Sequence, residues 1–274
     1  MSERFINPFT DFGFKKLFGE ESNKELLIDF LNELLQDKQH ITEITYLKNE
    51  QMPNSPLDRR AIFDLYCQND RGEKFIVELQ KVKQEYFKDR SIYYATFPIQ
   101  EQAVTGSDWN FKLEAVYTIS IMDFVFNRYQ EGNNKFKHHI QLIDTETQEV
   151  FYDKLTFIYL EMPKFNKTAD ELETRFDKWM YLLKNLSRFH EVPPALQERI
   201  FKKLFDAAEI VKLNPQDQQA YRESLKHVWD FNNVVNTAVK ENSVEIALNL
   251  KAQGVDSATI AKATGLSAEE IEAL

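Results

Sequence analysis

Two short apolar runs, residues 61–68 and 74–80, flank Asn69-Asp70-Arg71-Gly72, and this arrangement constrains the fold more than any other feature of the chain. Asn, Asp and Gly are the residues a tight turn requires, so the runs are predicted to be the arms of a β-hairpin. With Asp70, Arg71 and Gly72 as the loop and Gly72 in the left-handed conformation, Asn69 faces Glu73 and Asp64 stands directly opposite Glu78. Side chains alternate along a strand, so Asp64, Glu78 and Gln80 share a face with Ile62, Tyr66 and Ile76. Phe63, Leu65, Phe75, Val77 and Leu79 take the opposite face. Strands that are apolar on both sides belong at the centre of a sheet.

Two acids on such a surface are in conflict. Like charges opposite one another in a poorly hydrated site repel, and one stays protonated unless a cation lies between them. Oxygen ligands of this kind suit Mg2+ or Mn2+ better than a thiolate-seeking metal. Such an ion polarises a phosphoryl oxygen and acidifies water, the two requirements of phosphodiester hydrolysis. Spacing alone leaves another reading open, in which Asp64 and Glu78 serve ordinary salt bridges with Arg59, Arg60 or Lys81. A slip of one residue in the hairpin would also send one carboxylate to the other face.

Upstream, Phe14, Leu17 and Phe18 recur at helical spacing before Gly19, which predicts a short helix capped by Thr10 or Asp11. A second helix starts near Ser22 and carries the stripe Leu26, Leu27, Phe30, Leu31, Leu34 and Leu35. Residues 41–48 alternate as a strand, and residues 49–56 read as a loop. Downstream, Tyr86, Phe87, Tyr93, Tyr94 and Phe97 mark a helix over residues 84–105 that Pro98 should kink or shorten. Residues 113–126, 138–144 and 155–161 are predicted strands, with a turn at Gly132-Asn133-Asn134. From Thr168 onward only helical patterns remain, beginning with Phe176, Met180, Leu182, Leu183 and Leu186 and then residues 200–204.

Three segments follow from this pattern: an α/β portion over residues 1–165, a helical region over 166–247, and a small helix-turn-helix-like element over 248–274. The acidic ending Ala268-Glu269-Glu270-Ile271-Glu272 favours a packing or protein-contact role for that last element, because helices that read DNA usually expose Lys or Arg. The chain has 274 residues, 43% of them hydrophobic, and can bury a sizeable core. No apolar run approaches the roughly 18 to 20 residues of a membrane span, and no leader pattern opens the chain, so a cytoplasmic protein with no membrane partner is expected. The single cysteine, Cys67, excludes an internal disulfide and is expected to pack within a strand. A net charge of -10 argues against a diffuse electrostatic grip on nucleic acid and confines any such contact to a local groove.

The order helix, strand, Asp-bearing strand, Glu-x-Gln strand, helix, strand resembles the core of PD-(D/E)XK nucleases. Three segments, Phe9-Thr10-Asp11-Phe12-Gly13-Phe14-Lys15-Lys16-Leu17-Phe18-Gly19, Asp58-Arg59-Arg60-Ala61-Ile62-Phe63-Asp64 and Val77-Glu78-Leu79-Gln80, together are similar to the recombination-promoting nuclease and transposase family over roughly residues 5–165. The resemblance implies a restriction-endonuclease-like mixed sheet flanked by helices, followed by an all-helical C-terminal region. It also implies a Mg2+- or Mn2+-dependent DNA endonuclease that supports recombination or mobile-element activity.

In that pattern Asp64 and Glu78 are metal ligands and Gln80 occupies the position where the wider superfamily has lysine. Glutamine can position water but carries no charge. Asp11 is a further candidate ligand from the first helix, with helix capping as its alternative role. Arg90 and Tyr94 lie one helical turn apart and are candidates to touch substrate phosphate, with core packing the alternative for Tyr94. Enzymes that cut both strands often use two sites, which makes a homodimer a compatible assembly by analogy. The competing expectation is a catalytically degenerate fold that binds DNA or a protein without cutting, which Gln80 and the acidic charge both support.

Overall fold

Asn69 and Glu73 close the central hairpin. The Glu73 carbonyl accepts from the Asn69 amide at 3.1 Å, and Gly72 sits at φ +83 in the left-handed region, as the turn chemistry requires. The computed structural model describes residues 3–35, 40–51, 61–103, 110–126 and 134–274. The predicted loop residues 52–56, the segment Asp58-Arg59-Arg60, the last residues of the predicted helix over 84–105 and most of the turn at Gly132-Asn133-Asn134 lie outside the described residues.

The chain begins with α1 (Asp11–Phe18) and α2 (Lys24–Leu34), followed by β1 (Ile44–Tyr46), β2 (Glu50–Gln51), β3 (Ala61–Ile62), β4 (Leu65–Asn69) and β5 (Lys74–Gln80). It continues through α3 (Phe87–Gln100), β6 (Val116–Met122), β7 (Lys137–Ile143), β8 (Val150–Glu161), α4 (Arg175–Asn185) and α5 (Arg199–Ala208). The last elements are α6 (Pro215–Ala252), α7 (Ser257–Thr264) and α8 (Ala268–Glu272).

Six strands form one mixed sheet in the order β1-β4-β5-β6-β8-β7. β1, β4 and β5 run antiparallel, β5, β6 and β8 are parallel, and β7 returns antiparallel at the far edge. A parallel step needs a crossover, and α3 supplies it between β5 and β6. Pro98 is accommodated near the end of α3, which stops two residues later. The predicted restriction-endonuclease-like architecture is therefore present, with the hairpin strand β5 inside the sheet as its two-sided apolar pattern required.

The run 61–68 is not one strand. β3 pairs with β2 in a separate small ladder, and β4 begins only at Leu65. The Asn49 carbonyl accepts from the Phe63 amide at 2.9 Å and so holds the chain out of the main ladder at the break. Alternation consequently resets between Ile62 and Leu65. Ile62 is 63% exposed, whereas Phe63 is 1% exposed and packs with Tyr66 and Ile76, which corrects the expected assignment of these two side chains.

α3 covers the sheet face that carries Tyr66, Ile76, Met122, Phe157 and Tyr159, burying Phe87 and Ala95 against it. α1, α2, α4 and α5 build an aromatic layer in which the rings of Phe18, Phe30, Trp179 and Phe201 lie 5.3 to 5.8 Å apart. Thr10, rather than Asp11, caps α1, its hydroxyl accepting from the Gly13 amide at 2.9 Å. A Cβ at Gly19 would meet Leu65 Cδ2 at 2.9 Å, so glycine lets the end of α1 approach the start of β4.

The chain divides into two compact units, residues 1–218 and 219–274. In the second unit, Ala247, Ile260, Leu266 and Ile271 form a small core among α6, α7 and α8. Gly265, at φ +75, makes the turn between α7 and α8. Among the described residues, no helix is long and apolar enough to cross a membrane.

Candidate active site

The hairpin register carries the two acids to one place. Leu65 pairs with Val77 and Tyr66 with Ile76, where the ladder ends, and Asp64 lies in the bend just before β4, its amide and carboxylate both reaching β5. Their contact is reciprocal. The Asp64 amide donates to Glu78 Oε1 at 3.2 Å, and the Leu79 amide donates to Asp64 Oδ2 at 2.7 Å. Asn49 Nδ2 braces the break from behind by donating to the Asp64 carbonyl at 3.0 Å.

Gln80 lies two residues past Glu78 on the same face, and its Nε2 donates to Glu78 Oε2 at 2.9 Å. Its other amide atom faces α3. Arg90 Nη2 donates to Gln80 Oε1 at 2.6 Å, and Arg90 Nη1 donates to Gln84 Oε1 at 2.5 Å. The guanidinium carbon stands 5.5 Å from the ring centroids of both Phe87 and Tyr94, within the range of cation–π attraction. Tyr94 also packs edge-on against Phe63 at 5.5 Å, so it serves the core and the guanidinium at once.

Burial raises the pKa of Asp64; the Leu79 amide and the charges of Lys15 and Arg90 pull it back, and the charge of Asp11 adds to the rise. Burial, with the charge of Asp64, pushes Glu78 up to about 8. The pair thus holds more protons near neutrality than two solvated carboxylates would. Desolvated, mutually repelling carboxylate oxygens are the donor set that a hard divalent cation relieves, and the residues present fit such an ion. Among the described residues no third Asp, Glu, His or Cys joins them to make a set of three. Asp11 lies at the first position of α1, largely exposed, with its carboxylate 2.7 Å from Lys15 Nζ.

Of the residues marked in the sequence, Asp64, Glu78, Gln80 and Arg90 form one hydrogen-bonded chain, with Tyr94 alongside. Asn49 and Gln84 were not singled out by their sequence context, because each acts through a contact that only the folded chain creates. Ser120 was missed for the same reason. It pairs with Glu78 across the parallel β5–β6 ladder, and among the described residues its buried hydroxyl has no hydrogen-bond partner. Cys67 packs within β4 as expected, where burial pushes its thiol up to about 12.

A family model for PD-(D/E)XK nuclease family transposases matches residues 8–238, and one for the C-terminal HTH domain of the Rpn/YhgA-like nuclease family matches residues 240–274. No curated protein and no solved structure matches the chain significantly.

Proposed function

The chain belongs to the PD-(D/E)XK nuclease family transposases, and from that membership we propose that it is a divalent-metal-dependent DNA endonuclease with Asp64 and Glu78 as its ion ligands. The observation that carries the proposal is the hydrogen-bonded acid pair of half-buried Asp64, in the bend before β4, and buried Glu78, on β5, with the pKa of both acids raised. Mg2+ or Mn2+ suits two carboxylate ligands completed by water and phosphate oxygens, and Asp11, whose charge is felt at Asp64 from the start of α1, is the candidate for a further oxygen. When bound, the ion supplies Lewis acidity at the scissile phosphate and acidifies water.

The protein's own groups set the charge and orientation around that centre. Asp64, held by the Leu79 amide, and Glu78, held by the Asp64 amide and Gln80, present their oxygens in a fixed arrangement. Gln80 stands in the lysine position and orients the attacking water through its amide. Arg90 provides the positive charge that Gln80 lacks, acting on Glu78 through the Gln80 side chain and favouring the ionised forms of both acids. Its guanidinium, stacked near Tyr94, is also the group suited to a substrate phosphate.

Plasmid nicking by the full chain with Mg2+, with Mn2+ and with EDTA, beside Glu78→Ala, tests the proposal. Metal-dependent cleavage that disappears in the variant is expected. The neutral Gln80 in place of lysine favours a second reading, a degenerate nuclease fold that binds DNA or protein without cutting. Calorimetric titration separates them: a folded protein that takes up neither Mg2+ nor Mn2+ supports the binding role.

A further inference from the structure

Glu78, Ser120 and Tyr159 stand side by side, paired in register across the parallel strands β5, β6 and β8. All three side chains lie on the face that α3 covers. Gln80, two residues past Glu78, bonds to Arg90, while Met122, two residues past Ser120, shares a buried cluster with Tyr159 and with Phe87 and Ala95 of α3. Glu78 is 6% exposed and Ser120 1%.

The row is unevenly bonded. The Tyr159 hydroxyl lies 2.7 Å from Ser91 Oγ of α3. Glu78 accepts from the Asp64 amide at one oxygen and from Gln80 Nε2 at the other, and a carboxylate with about four acceptor sites can take more. Between them, among the described residues, the Ser120 hydroxyl bonds to nothing. A buried donor without a partner is destabilising, and alanine fills nearly the same volume without one. Packing beneath α3 therefore does not account for the oxygen.

Glu78 can use it. Adjacent strands run about 4.8 Å apart, and rotation about the single χ1 torsion of serine redirects the hydroxyl between neighbours. Thr118, two residues earlier on the same face, also carries a buried hydroxyl without a partner among the described residues, but its neighbours in register are Ile76 and Phe157, whose side chains accept nothing. Threonine there supplies a β-branched shape that suits a strand, which serine does not. We propose that Ser120 is a positioning residue of the ion site, its hydroxyl donating to the Glu78 carboxylate when that group turns its charge to a bound divalent cation. In its charged form the carboxylate only accepts, and a donor fixed on the neighbouring strand holds its orientation. The inference rests on the reading of Asp64 and Glu78 as ion ligands, and it does not require that the chain cut DNA.

Calorimetric titration of the full chain with Mn2+, beside thermal melts in EDTA, tests it. Ser120→Ala is expected to weaken Mn2+ binding by about 10-fold, the lower end of what loss of an outer-shell partner costs. In EDTA the same variant should melt no lower than the wild type, because the donor it loses is unpartnered there. A merely structural role does not give that combination. Ser120→Thr keeps the hydroxyl and should bind Mn2+ as the wild type does. Thr118→Val removes the other hydroxyl and should leave the affinity unchanged. Wild-type affinity in Ser120→Ala overturns the proposal while leaving Asp64 and Glu78 as ligands, whereas a wild type that takes up no Mn2+ overturns both. A lower melting temperature of Ser120→Ala in EDTA overturns it too, because the hydroxyl would then be bonded without the ion. So does an equal loss of affinity in Ser120→Ala and Ser120→Thr, or in Ser120→Ala and Thr118→Val, which would assign the effect to packing beneath α3.

Discussion

Arg90 Nη2 lies 2.6 Å from Gln80 Oε1, so the residue proposed for the superfamily's lysine position is a neutral amide clamped by a guanidinium from the crossover helix. The positive charge has not been lost from the site; it reaches Glu78 through one intervening side chain.

Moving that charge is the most direct test of the arrangement. Arg90→Ala is expected to lower kcat/KM for DNA cleavage by about 100-fold, the scale seen when one preorganised electrostatic contact is removed. Arg90→Lys should recover little, because an ammonium cannot hold Gln80 and Gln84 together or stack near Tyr94. Gln80→Lys in the Arg90→Ala background restores a cation on the strand and should recover part of the loss. Strict additivity of the two changes in a double-mutant cycle would show that they do not act together.

Removing either acid should separate ligand from scaffold. Asp64→Asn and Glu78→Gln are each expected to abolish measurable Mg2+ or Mn2+ uptake in calorimetry while leaving the far-UV spectrum unchanged. Wild-type metal affinity in both would exclude these residues as ligands.

The raised acids predict an unusual pH dependence. Glu78, with a folded pKa of about 8 against an ordinary value of 4.5, binds more protons folded than unfolded between those limits. Stability of the metal-free protein therefore falls as pH rises through this window, and Asp64 adds in the same direction. Thermal melts in EDTA at pH 5.5 and pH 8 measure it. Glu78→Gln should flatten the dependence, and saturating Mg2+ at pH 8 should restore a similar amount of stability. A melting temperature that climbs with pH in EDTA would contradict the sign.

The turn that sets the register can be weakened without touching the site. Gly72→Ala places a Cβ at φ +83 and is expected to destabilise by about 1–2 kcal/mol, read from urea unfolding. Asn49→Ala removes the donor to the Asp64 carbonyl at 3.0 Å and should cost about 1 kcal/mol, with a larger fractional loss of metal affinity than Gly72→Ala. Equal effects on affinity would deny Asn49 its bracing role.

The hairpin and its offset were legible before any coordinates, because a three-residue turn ending in glycine fixes the offset between its two arms, although Asp64, expected directly opposite Glu78 within the ladder, lies in the bend just before β4. The helix α3 and the α7–α8 turn were legible for the same reason, each depending on residues a few positions apart, whereas the choice of Thr10 over Asp11 as the α1 cap was not. The exchange of Ile62 and Phe63 was not. It follows from the hydrogen bond between Phe63 and Asn49, a partner 14 positions away that interrupts the strand. Nor could spacing bring Arg90 to Gln80 or set Ser120 beside Glu78. Local patterns fix which face a residue takes within its own element. Contacts between distant segments depend on how whole elements pack, which in this protein is settled by the side chains buried between α3 and the sheet and by the order in which the strands lie in it.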